Sequence, residues 1–262
     1  MSRRDRNPET LFAAALEGDR SALARLLSMI EQGGDDARTV GRLSYPLGGH
    51  SYTVGLTGAP GAGKSTLTSS IIGHLRKMDL EVAVLAIDPS SPFTGGAILG
   101  DRVRMQDHAT DRGVFIRSMA TRGHLGGLSL AAPEAIRLLD AIGRLWVLVE
   151  TVGVGQVEVE IAGKADTTVV VVVPEAGDEV QTMKSGIMEI AHVFVVNKSD
   201  RPEADQFVHH LKQMMAPSFS NTAYQIPIIK TIAAQKTGMF RERLLRASDP
   251  NTVRELVKMQ YA

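Results

Sequence analysis

The sequence contains no cysteine. Disulfides, thiolate zinc sites and cysteine-ligated iron–sulfur clusters are therefore excluded. There is no excess of charge of either sign: the formal net charge is +0. That balance offers neither a basic glove for nucleic acid nor a polyacidic tail. The arginines at Arg3, Arg4 and Arg6 read as a solvated terminus. Long apolar runs are missing too. Runs such as Val169 to Val173 are strand-sized, far below a membrane span, and the N-terminus lacks a signal-peptide core. The expectation is a soluble cytoplasmic protein with no nucleic-acid and no membrane partner. Its 262 residues suffice for one large α/β domain with a terminal extension.

From residue 9 to 31 apolar side chains recur at helical spacing: Leu11, Phe12, Ala15, Leu16, then Leu23, Leu26, Leu27, Ile30. Gly18-Asp19 divides them into two helices, Ser21 is a candidate cap for the second, and Gly33-Gly34 ends them. The stretch up to Gly49 reads as a connector. From Ser51 onward short β-branched runs alternate with helical segments. The strand-like runs are SYTVGLT, EVAVLAID, VFIRSM, LWVLVET, TTVVVVV, VFVVNK and IPIIK. Several are apolar throughout, as in strands covered on both faces. A doubly wound, mainly parallel α/β sheet follows. After Gly238 the sequence offers two more short helical pieces. The expected division is a helical extension over 1–46, a nucleotide domain over 47–240 and a short helical segment over 241–262.

The spacing Gly58-x-x-x-x-Gly63-Lys64-Ser65 follows a strand and opens a helix, the context of a phosphate-binding loop. Gly61 and Gly63 let the backbone curl until successive N–H groups face an anion, Ala62 lies between them, and the helix dipole points at the same place. Lys64 adds a charge for the β- and γ-phosphates. Ser65 offers a hydroxyl to Mg²⁺, and Thr66 completes the turn. Asn197-Lys198-x-Asp200 ends another strand. A carboxylate at Asp200 can accept both donors of a guanine edge and is mismatched to adenine, which favours GTP. Lys198 can lay its stem over the base, Asn197 can tie this loop to the phosphate loop, and Ala233 or Ala234 can give an N–H to the guanine oxygen. Glu150 ends a further strand where it can orient a metal's waters, and Gly153 can offer its N–H to a γ-phosphate. Asp88 and Asp101 flank a long proline- and glycine-rich loop and read as metal-side carboxylates. Asp178 can cap a helix that carries Lys184. No residue stands out as the one that positions the attacking water; Gln156 and Lys184 are candidates.

The strings GAPGAGKST, AIDPSSPFTGGAILGDRVRM, RGHLGG, VETVGVGQVE, PEAGDEVQTMKSGIMEIA and NKSD together resemble the MeaB/ArgK-type GTPases, over about residues 20 to 240. These are G-protein chaperones of adenosylcobalamin-dependent acyl-CoA mutases. The resemblance implies a dimerising GTPase of the signal-recognition and metal-chaperone class. It implies Mg²⁺ near Ser65, Asp88, Asp101 and Glu150, and a mutase-responsive switch carrying Asp178 and Lys184. Lys64, Glu150, Asp178 and Lys184 form the implied catalytic set. The partner would be methylmalonyl-CoA mutase or a relative, with the cobalamin adenosyltransferase as a further candidate. Adenosylcobalamin would belong to the partner rather than to this chain. Family members carry a longer helical arm after the nucleotide domain, whereas this chain stops at Ala262, which leaves the dimer geometry open. Rival readings are a nickel- or zinc-insertion GTPase, disfavoured by the missing cysteines, a kinase, and a GTP-sensing scaffold without turnover.

Overall fold

A computed structural model describes residues 7–88, 105–108, 110–120, 127–151, 163–174, 190–215, 226–235 and 237–238. The alternating stretch Val157–Ile161, His124, Gln156 and the helical pieces after Gly238 lie outside the described residues. The chain forms two compact units, one of Met1–Thr53 with Leu75–Val149, the other of Val54–His74 with Glu150–Ala262.

The first unit opens with helix α1 (Pro8–Leu16), whose cap Asn7 accepts from the amides of Glu9 and Thr10 at 2.8 and 3.3 Å. Helix α2 (Arg20–Gln32) is capped by Asp19, which accepts from the Ser21 and Ala22 amides at 2.8 and 3.1 Å. The cap is therefore Asp19 and not Ser21, because Ser21 already sits inside the first turn. A second correction concerns the expected connector, much of which is helix α3 (Gly34–Ser44), followed by a 3-10 turn over Tyr45–Leu47. Gly33, at φ +74°, bends the chain between α2 and α3 without ending the helical region. Helix α3 buries little besides Val40, so apolar periodicity hardly marks it. Asp35 and Asp36 in its first turn and Arg42 in its last complement the helix dipole.

Strands β2 (Val82–Asp88) and β3 (Val114–Ala120) pair in parallel from Val82↔Val114 to Asp88↔Ala120. With β4 (Trp146–Thr151) the order is β3-β2-β4, so β3 is an edge. Helix α2 clamps that edge at two points. Arg20 donates to the carbonyls of Asp111, Arg112 and Val114 at 3.3, 3.1 and 2.7 Å, and Arg117 reaches Ser28 and Glu31 at 3.0 and 2.5 Å. Of these carbonyls Val114 opens β3, and Asp111 and Arg112 lie in the turn before it.

Helix α5 (Gly127–Ala141) carries Asp140, 9% exposed, whose carboxylate accepts three successive main-chain amides. These are Gly49, His50 at 3.1 Å and Ser51 at 2.7 Å, immediately before strand β1 (Tyr52–Gly58). Asp140→Ala is expected to lower unfolding free energy by about 2–4 kcal/mol in urea titrations, since hydrogen bonds to a buried charge contribute about 1.5–3 kcal/mol each and do not add fully. A loss under about 0.5 kcal/mol contradicts this anchor.

In the second unit the end of β4 lies beside β1, where Thr151 Oγ1 donates to the Leu56 carbonyl at 3.3 Å. Strands β5 (Thr167–Val172), β6 (Val193–Val196), β7 (Ile228–Ile232) and the two-residue β8 (Thr237–Gly238) follow β1 in that order. The pairs β1–β5, β5–β6 and β6–β7 are parallel, and β8 adds an antiparallel end. Helix α6 (Ala204–Met215) buries Phe207, Leu211 and Met215 against Val170, Phe194 and Val196. His209 and His210 face solvent on the same helix. Each strand-like run in the sequence is a strand, and the mainly parallel α/β architecture is as expected; β8 is too short to leave a sequence pattern.

His192 links β5 and β6. Its main-chain N–H donates to the Thr168 carbonyl at 2.9 Å, and its ring Nδ1 accepts from the Thr168 amide at 2.9 Å. Burial pushes its pKa below the usual value, and Asp166 acts in the opposite sense. The folded state thus takes up this proton less readily than the unfolded chain. Its contribution is complete above the unfolded pKa, about 6.5, and is lost as pH falls through the lower folded pKa. The melting temperature is expected to fall from pH 7.5 to 5.5, and to fall less in His192→Gln. Equal slopes for both proteins would refute the assignment.

Candidate nucleotide site

All described parts of the site belong to the second unit. Strand β1 ends at Gly58 and helix α4 (Lys64–Lys77) begins five residues beyond Ala59. Two glycines make the intervening loop possible. Gly58 has φ +140°, and a Cβ there would collide with the Val171 carbonyl of β5. Gly63 has φ +93°, and a Cβ there would collide with the Asn197 carboxamide. Gly61, at φ +79°, supplies the other left-handed step. The Leu67 amide bonds the Gly63 carbonyl at 3.0 Å, so Gly63 caps α4. The N–H groups of the first turn then have no partner within the helix, which is the electrostatic arrangement that holds phosphate. Ala62 is buried in this loop and Thr66 is exposed on the first turn.

Lys64 is 6% exposed and folds back across the loop; its Nζ donates to the carbonyls of Gly58 at 2.7 Å and Ala59 at 2.8 Å. The ammonium is thereby fixed at the point on which the loop closes. Ser65 and Glu150 meet in the same site. The Ser65 hydroxyl donates to Glu150 Oε1 at 2.5 Å, with both residues at least nine-tenths buried. The Thr68 hydroxyl, one helical turn on, lies 2.9 Å from Glu150 Oε2 and 3.0 Å from the Lys64 carbonyl. Sequence reasoning had no role for Thr68. The signal was present in GKSTLT, where hydroxyls three residues apart share a helix face.

Asn197 joins the phosphate loop to the loops that follow β6 and β7. Its Nδ2 donates to the Ala62 carbonyl at 2.8 Å, and its Oδ1 accepts from Thr231 Oγ1 at 3.2 Å and from the Ala233 amide at 3.0 Å. Its own amide donates to the Val172 carbonyl at 2.9 Å. The next residue, Lys198, adopts φ +57°, and Asp200 lies exposed two residues on. A lysine in this left-handed conformation carries a strain of about 1–2 kcal/mol, which the bonds around it hold in place. Because the Ala233 N–H is committed to Asn197, it does not point toward a base. Of the two amides considered from the sequence, the one at exposed Ala234 remains.

Asp88 is the last residue of β2, and its side chain lies outside the described residues, as do Asp101, Gly153, Asp178 and Lys184. Among the described residues, no three His, Asp or Glu side chains gather as a metal cluster. Mg²⁺ does not need one: it takes hard oxygen donors, keeps several waters and accepts few protein ligands. The hydroxyl of Ser65 and the carboxylate of Glu150 fit that requirement.

A family model described as methylmalonyl Co-A mutase-associated GTPase MeaB matches residues 23–247. A Pyrococcus abyssi protein named "Putative GTPase" is 53% identical over 234 residues, spanning 88% of this chain and 72% of that one. The Escherichia coli GTPase ArgK is 42% identical over 188 residues, covering 70% of this chain and 57% of its own length. Among solved structures, an LAO/AO transport system kinase superposes with a TM-score of 0.74 at 24% identity, over 100% of this chain and 80% of that one, a likeness of fold. With its phosphate loop, its buried Ser65–Glu150 pair and the family match over most of its length, the chain belongs to the MeaB family and is a P-loop GTPase.

Proposed function

We propose that this protein is a GTP-hydrolysing chaperone that gates adenosylcobalamin loading and protection of an acyl-CoA mutase, methylmalonyl-CoA mutase or a relative. The family's description as mutase-associated supports the partner. The observation that carries the chemistry is the Asn197 carboxamide, bonded at 2.8 Å to the phosphate loop. It supports a single site in which phosphate and base are held together.

In this reading residues 47–240 form the nucleotide domain. The amides of Gly61 to Thr66 and the Lys64 ammonium hold the β- and γ-phosphates. Asp200 accepts both donors of the guanine edge, Lys198 covers the base, and Ala234 donates to the guanine oxygen. Ser65 and Glu150, with Asp88 and Asp101 direct or through water, would hold Mg²⁺. Bound Mg²⁺ supplies charge neutralisation along the phosphates. Gly153 gives its N–H to the γ-phosphate, and Asp178 and Lys184 respond to the mutase. A water oxygen attacks the γ-phosphorus in line, and the bond to the β–γ bridging oxygen breaks, releasing GDP and phosphate. Turnover is slow alone and rises on the partner. The protein acts as a homodimer in the cytoplasm, and the cobalamin stays on the mutase or on its adenosyltransferase.

Co-purification with candidate mutases, with GDP or with a non-hydrolysable GTP analogue, tests the proposal. The expected result is a complex whose amount or stability changes between the two nucleotides. A chain that binds no acyl-CoA mutase, or binds one identically in all nucleotide states, overturns it. Phosphate release without any added acceptor separates hydrolysis from kinase chemistry.

A further inference from the structure

We infer that Thr68 is a positioning residue for the metal-bearing face of this site; the inference rests on the reading of Ser65 as the Mg²⁺ ligand. A serine hydroxyl ligates a cation through an oxygen lone pair, and it does so best when its proton is held by an acceptor on the other side. Glu150 Oε1 takes that proton at 2.5 Å. A carboxylate turns about its terminal bond, however, and one hydrogen bond does not fix its plane. The Thr68 hydroxyl, 2.9 Å from Oε2, supplies the second point. Ser65 and Thr68 stand three residues apart on α4, so their hydroxyls rise from one face and grip both oxygens of the same carboxylate. Thr68 is fully buried, and its single hydroxyl proton is shared between Glu150 Oε2 at 2.9 Å and the Lys64 carbonyl at 3.0 Å, which keeps the side chain against the first turn. The side chain therefore serves a partner that reaches the metal, without reaching it itself. Groups that orient a ligand in this indirect way typically change metal affinity 10–100-fold when removed.

Thr68→Val keeps the shape and removes the hydroxyl, Thr68→Ser keeps the hydroxyl, and Thr68→Ala removes both methyl and hydroxyl. Binding of a non-hydrolysable GTP analogue is titrated by fluorescence, with EDTA and then with rising Mg²⁺. In Thr68→Val the Mg²⁺ concentration that half-saturates the enhancement of binding is expected to rise about tenfold. Affinity in EDTA stays within about twofold, because the Thr68 hydroxyl meets the Lys64 carbonyl rather than its ammonium. Thr68→Ser restores the Mg²⁺ response. A merely structural threonine would instead weaken binding equally with and without Mg²⁺. An unchanged Mg²⁺ midpoint in Thr68→Val overturns the inference. Should Thr68→Val not fold, Thr68→Ala is read by the same criterion, and failure of both to fold while Thr68→Ser behaves as the parent assigns the hydroxyl to stability and also overturns it. Failure of the underlying reading looks different: the parent protein itself would then show no Mg²⁺ enhancement.

Discussion

Lys64→Ala is expected to reduce GTP turnover at saturating nucleotide by about 10²–10³-fold, the effect of deleting one preorganised donor aimed at developing charge. The size follows from where the ammonium is held. Lys64 is 6% exposed, and its Nζ sits 2.7 and 2.8 Å from the Gly58 and Ala59 carbonyls, which hold it over the loop. A charge so shielded acts on phosphate with little screening by water. The alanine variant also loses the cross-loop bonds, so nucleotide affinity falls together with turnover. Lys64→Arg is not expected to rescue it, since a planar guanidinium cannot place a compact charge on both carbonyls at once. Phosphate-release assays on parent and variant decide the matter. A variant turning over GTP at the parental rate would remove the loop from the chemistry.

Asn197→Ala is expected to destabilise the protein by about 3–5 kcal/mol and to weaken guanine-nucleotide binding beyond easy detection. Asn197 is 4% exposed, and its side chain joins Ala62, Thr231 and Ala233. Truncation leaves a carbonyl, a hydroxyl and an amide buried without those partners, each costing about 1–3 kcal/mol. It also releases a link between the phosphate loop and the turn that carries Asp200. Asn197→Asp sharpens the test. Aspartate keeps an acceptor for Thr231 and Ala233 but turns an oxygen toward the Ala62 carbonyl and buries a charge. It too should unfold more readily than the parent. Denaturant unfolding of both variants measures the stability term, and an effect under about 1 kcal/mol for either would contradict the linking role.

Much of this arrangement is legible in the sequence. The Val169–Val172 stretch of β5 is apolar throughout, and burial on both faces is the physical reason. The phosphate loop was readable because its chemistry demands glycine at fixed spacing, and Gly58 and Gly63 do lie where a side chain would collide. Asn197 was expected to reach the phosphate loop, and it bonds Ala62. What escaped was of two kinds. Helix α3 is held by charges at its ends and by Val40, so a search for apolar periodicity passes over it. Asp19 rather than Ser21 caps α2, because either residue type suits a cap and only the chain's path chooses between them. Thr68 gripping Glu150, and Ala233 giving its N–H to Asn197, are contacts between segments far apart in sequence. Spacing along one segment can place two hydroxyls on a helix face, as in GKSTLT, but does not show which distant group they meet.

Calorimetric titration of the purified protein in magnesium buffer, with GDP, a non-hydrolysable GTP analogue and the matching adenine nucleotides, tests the central claim most directly. Both guanine nucleotides are expected to bind, with adenine counterparts weaker by about 10⁴-fold, the discrimination available to a site whose polar groups are left mismatched by the wrong base. Heat from neither guanine nucleotide, or equal affinity for adenine, would contradict the account.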